Sequence, residues 1–170
     1  MINKWQVDIR DKAALTRFML TLAVFVEAIL EKNGELLNMY LLFDHEGNNG
    51  HVLKPAFGLP PERVTLALNK MIRMTKGTPM AIGMVVHMSE AWGAELVKGV
   101  TDDRPPSERD DRWECYIIEA KTLHGDTFYI NRRFDRGAEG KIVFDDTPPQ
   151  LAKEGDVLQS QLLDAIFTDV

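Results

Sequence analysis

The chain is expected to fold as a single α+β domain over residues 1–170, an antiparallel sheet flanked by three helices. Three observations lead there. Two stretches, from Ala14 to Ile29 and from Val64 to Met74, repeat apolar residues at helical spacing. Met80 to Val86 is an unbroken apolar, β-prone run bounded by turn residues. Beyond Arg112, short strand-like segments alternate with glycine-containing turns. The predicted order is α-β-β-α-β-β-β-β-α, a hairpin plus a three- to four-strand meander, and helices set beside such strands define the α+β class.

Asp8 or Asp11 is placed to cap the first helix, and Asn33-Gly34 to stop it in a left-handed turn. Between Phe18 and Leu30 only Thr21 and Glu27 are polar. That segment is shorter than the roughly 20 residues a bilayer span requires. It is nonetheless apolar nearly all the way round, whereas a helix on the edge of a monomer keeps a solvated face. A second covering surface is therefore expected. With Leu20, Val24 and Phe25 otherwise in water, the expected remedy is a homodimer that buries part of Phe18–Leu30.

Leu36 to Phe43 reads as a strand and His51 to Pro55 as its return. Between them Asp44-His45-Glu46-Gly47-Asn48-Asn49-Gly50 is a turn cluster, with Asn-Gly expected to tolerate the positive φ of a tight turn. Pro60-Pro61-Glu62 opens the second helix, where a missing N–H costs nothing. Val64, Ala67, Leu68, Met71 and Met74 are assigned to its apolar face; Arg63, Lys70, Arg73 and Lys76 fall largely opposite. Met80 to Trp92 is the central strand, covered on both faces at first because its start does not alternate in polarity. A long charged loop from Gly93 to Asp111 follows. The meander is then Trp113–Thr122, Thr127–Phe134 and Lys141–Phe144. Asp156 with Gln159 resembles a capping box opening a last helix through Leu158, Leu162, Ala165 and Ile166. This order of elements resembles that of roadblock and profilin-like domains, which implies a role in protein–protein association.

A net charge of −6 argues against non-specific nucleic-acid binding. The four cations of the second helix could meet acidic partners or nucleic acid, but a solvated helix face is the favoured reading. Cys115 is the single cysteine, which excludes an intrachain disulfide and fits a reducing cytoplasm. Met1 to Asp11 lacks the basic region and apolar core of a secretory signal, so a cytoplasmic protein that does not enter the membrane is expected. Glycine-rich phosphate loops, C-x-x-C and H-E-x-x-H are missing, so no cofactor is expected.

Asp44, His45 and His51 are the weak candidates for a metal; their spacing matches no closed site, and a solvated hairpin turn is the favoured reading. His87 with Ser89 and Glu90 pairs a base with a hydroxyl on one strand, without the glycines a nucleophile turn requires. In the loop, Glu95, Asp102, Asp103, Glu108, Asp110 and Asp111 interleave with Lys98, Arg104, Arg109 and Arg112. Paired acids and arginines there could hold magnesium or an anion, but such mixed signs are more simply a self-neutralising solvated loop, the favoured reading.

Ser89-Glu90-Ala91-Trp92, followed after a gap by Pro106 to Glu114, is similar to a pattern in uncharacterised bacterial and phage proteins. There a SEAW strand end precedes an acidic, proline-bearing loop and an Asp-Arg-x-Glu entry into the next strand. The resemblance implies no activity. It does imply that Glu90, Trp92, Arg109, Arg112 and Glu114 form one constellation, read as a clamp in which Arg112 pairs with Glu90 above Trp92. The expected function is a non-enzymatic accessory or interaction protein of bacterial or phage origin, homodimeric and open to a protein partner. The alternative is a metal-dependent hydrolase or nuclease using the loop carboxylates and a histidine.

Overall fold

The computed structural model describes residues 5–55, 59–94 and 104–152 together with 163, 166 and 167. Helix α1 (Lys12–Asn33) starts where Asp11 accepts the Ala13 N–H at 2.8 Å. It ends where Gly34, at φ 75°, returns its N–H to the Leu30 carbonyl. Both stops were legible, because capping is a local matter.

Six strands follow: β1 (Met39–Asp44), β2 (Asn49–Leu53), β3 (Ile82–Gly93), β4 (Trp113–Thr122), β5 (Thr127–Arg136) and β6 (Ile142–Phe144), with helix α2 (Pro61–Thr75) between β2 and β3. They form one antiparallel sheet in the order β2-β1-β3-β4-β5-β6. The expected hairpin and meander are thus halves of a single sheet joined through β3. Among the described residues there are two α-helices. The expected third helix falls outside them except for Leu163, Ile166 and Phe167, which sit with the α2 core.

Alternation sorts the sheet into two cores. On the α1 face, Leu41, Phe43, Met84, Val86, Met88, Tyr116, Ile118 and Ile130 meet Leu15, Phe18, Met19, Leu22 and Val26 of the helix. On the other face, Tyr40, Leu42 and Val85 meet Val64, Leu68 and Ile72 of α2. The inward face of α2 is therefore the i, i+4, i+8 row 64–68–72. Ala67 and Met74, assigned inward from the sequence, are exposed, because the sheet admits a narrower stripe than the apolar content of the helix allows. At Gly83 the β1–β3 register slips from Phe43↔Met84 to Asp44↔Ile82, and Ile82 crosses to the α2 face. A Cβ at Gly83 would stand 2.8 Å from the Asp44 carbonyl oxygen, so the bulge requires glycine.

By length and composition α1 is apolar enough to cross a membrane; in the fold seven of its residues are buried in the core beside the sheet. Part of the cover expected from a second subunit comes from the chain itself. Trp5 packs edge-on against Phe18 and Phe25, at 5.5 and 5.6 Å between ring centroids, and Val7 and Ile9 enter the core. Leu20 is partly buried against that core, while Val24 and Phe25 remain 61% and 44% exposed.

The hairpin turn also differs from expectation. Asn49 and Gly50 are the first residues of β2, and the positive φ falls on Gly47. Asp44 organises this turn, accepting the Glu46 and Asn48 N–H groups at 2.9 Å each. Burial pushes its carboxyl upward, but those bonds, the Asn48 side chain and nearby His45 outweigh it and hold the group below its usual range.

Candidate functional site

Strand β3 is longer than its neighbour. Its last pairing with β1 is Met88 with Met39, whereas it pairs with β4 as far as Gly93. Residues 34–38, crossing from α1 to β1, leave a cleft of about 620 Å³ here, lined by Asn38, Tyr40, His87, Ser89, Glu90 and Arg136 among others. Alternation along β3 sends His87 and Ser89 to the α2 face and Glu90 to the α1 face.

On the α2 face His87 and Glu119 are cross-strand neighbours, 3% and 4% exposed. The His87 Nδ1 lies 3.3 Å from Glu119 Oε2, its Nε2 lies 3.0 Å from Asn38 Oδ1, and Tyr40 stacks on the ring at 4.6 Å. Burial, and secondarily the Glu119 charge, pushes the Tyr40 hydroxyl up to about 12. Burial likewise pushes the Cys115 thiol up to about 11, so this cysteine is no thiolate nucleophile at neutral pH. The imidazole is engaged at both nitrogens by Glu119 and Asn38. The pairing with Ser89 that a nucleophile would need is not among its bonds.

On the α1 face the ionic constellation assembles around a residue the sequence reading overlooked. Glu90 accepts the Leu36 N–H at 2.6 Å and Arg136 Nη2 at 2.7 Å. The Arg136 Nε donates to Glu114 at 2.9 Å, and its Nη1 donates to the Gly34 carbonyl at the end of α1. The hydrogen bond to Glu114, opposed by burial and reinforced by Glu90, pushes the Arg136 guanidinium to still higher basicity. One guanidinium thus ties β3, β4, β5 and α1 together.

Arg112, expected to hold Glu90, does not occupy that place. Its guanidinium lies 4.7 Å from the Trp92 ring centre, and its Nη1 donates to the Ser107 carbonyl within its own loop. Arg109 forms a two-pronged pair with Asp111, at 2.9 and 2.6 Å. The expected constellation is therefore divided into Glu90 with Glu114, Trp92 with Arg112, and Arg109 with Asp111. Loop residues Glu95, Lys98, Asp102 and Asp103 lie outside the described residues. Of the metal candidates, Asp44 binds its own turn and His51 stands opposite Leu42; among the described residues no three metal-ligating side chains gather.

Arg136 carried a signal. Alternation places it on the same face as Ile130, Arg132 and Phe134, so two arginines point toward the apolar side and each requires a partner there. Arg132 finds Glu27 at 2.8 Å, which also accepts the Tyr116 hydroxyl at 2.7 Å.

Arg136→Ala should lower unfolding stability by about 1–2 kcal/mol, discounted for its partial exposure, and Arg112→Ala by less than about 1 kcal/mol. Urea unfolding of both decides, and the opposite order would restore Arg112 as the clamp. Glu90→Gln and Arg136→Ala together should cost less than the sum of the single changes.

The chain matches no protein-family model, and no curated protein or solved structure shows significant similarity to it.

Proposed function

We propose that the protein is a non-enzymatic accessory or interaction protein of the bacterial or phage cytoplasm, acting as a homodimer through α1. The observation that supports this reading is apolar surface left exposed on α1, as it also is at Leu66 and Met74 of α2. Around the cleft, Glu90, Glu114, Arg136, Glu119 and His87 are bound to one another or to backbone, an arrangement that braces the fold. On the outer side of α1, by contrast, Val24 is 61% and Phe25 44% exposed. Large apolar side chains left side by side in water favour association.

Light scattering at micromolar concentration is expected to give about twice the 19.3 kDa chain mass. Val24→Asp should return the mass to that of one chain. A wild-type protein that stays monomeric on concentration rules the homodimer out.

A further inference from the structure

The outer face of α1 has an internal symmetry that names its partner. Arg17, Val24 and Glu31 are seven residues apart, hence almost in line along the helix, and all three are exposed. Thr21 and Ala28, also exposed, flank the row with small side chains. Among the described residues neither the Arg17 nor the Glu31 side chain has an ion-pair partner, whereas Glu27 is held by Arg132 and Lys12 by Asp126. The stripe therefore carries one free cation and one free anion, each about 10 Å along the axis from a central exposed valine.

From this we infer that α1 pairs with α1 of a second copy, antiparallel about a two-fold axis at Val24, so that Arg17 of each chain meets Glu31 of the other. The inference rests on the reading of α1 as the self-association surface and adds orientation and register to it. In an isologous contact residue i meets j and j meets i. An antiparallel pair centred on position 24 brings 17 opposite 31 twice, sets Val24 against Val24, and lets the small residues at 21 and 28 admit close approach. A parallel pair would instead set Arg17 against Arg17 and Glu31 against Glu31, two repulsive contacts. The charge order along the stripe thus selects the antiparallel arrangement.

Charge reversal tests it. Arg17→Glu and Glu31→Arg each replace both attractive contacts by repulsive ones, and each should raise the dimer dissociation constant about tenfold or more. Mixed in equal amounts, the two variants should recover the dimer mass, because every cross-contact is again between opposite charges. Recovery also shows that neither variant had simply misfolded. The weakening should shrink at high salt. If the wild type is a dimer but either variant dimerises as well, or the mixture does not recover, this register is overturned and self-association stands. If the wild type is monomeric, both readings fail together.

Discussion

Glu119→Ala is expected to lower unfolding stability by about 2–3 kcal/mol, the usual consequence of leaving a buried hydrogen-bonding group without its partner. Glu119 is 4% exposed and opposes His87 across β3 and β4, with the Tyr40 ring stacked on the imidazole. Its loss leaves the Nδ1 of His87, a residue 3% exposed, without its hydrogen-bond partner, and an unmet buried polar group bears its full desolvation penalty. The converse substitution separates this from a volume effect. Replacing both partners by apolar residues, His87→Phe with Glu119→Leu, should recover most of the loss, since replacing both members of a buried polar pair by apolar groups of similar shape is often nearly neutral. Urea unfolding of the single and double variants measures both. A loss below about 1 kcal/mol for Glu119→Ala would mean that His87 is satisfied without it.

Gly47→Ala should be at least as damaging, although it adds only a single methyl, because Gly47 is buried in its turn. Gly47 has φ 84°, and a Cβ there would stand 1.7 Å from the Val7 carbonyl oxygen. The Val7 N–H meanwhile donates to the Gly47 carbonyl at 3.0 Å. The left-handed backbone costs an alanine about 1–3 kcal/mol, and the overlap with backbone cannot be relieved by turning a side chain. The turn must move away from residues 5–9, withdrawing Val7, Ile9 and Trp5 from the α1 side of the core. The total should be about 3 kcal/mol or more, with Trp5 fluorescence shifted toward that of a solvated indole. Gly34→Ala is the control, because its φ is 75° yet nothing lies within 4 Å of a Cβ there. Equal losses at the two glycines would show that backbone conformation alone, without the contact to Val7, sets the effect.

Much of the fold was legible because its signals are local. Asp11 and Gly34 mark the ends of α1 through bonds to residues two to four positions away. Pro61 opens α2, and β4 spans Trp113–Thr122 as read from its composition and flanking turn residues. The non-alternating run read at Met80 to Val86 is buried on both faces of the sheet from Ile82 onward, whereas Met80 lies ahead of β3 and is 59% exposed. Such features follow from a few neighbouring residues and need no knowledge of what lies across the fold.

What the sequence by itself determined is therefore the α+β class, the caps and the central position of β3. Tertiary structure alone decided which distant groups meet. The Asn-Gly pair at 49–50 advertised a turn, yet the approach of residues 5–9 places the left-handed residue at Gly47. Arg112 was near enough in sequence to attract the assignment to Glu90, but sheet order brings Arg136, 46 residues along the chain, beside that carboxylate. His87 had Ser89 on its own strand face, and the β3–β4 register supplied Glu119 instead. The physical reason is common to the three cases. Hydrogen-bond and ion-pair partners are set by strand order and register. Register depends on single inserted residues such as Gly83, each of which moves side chains from one face of the sheet to the other.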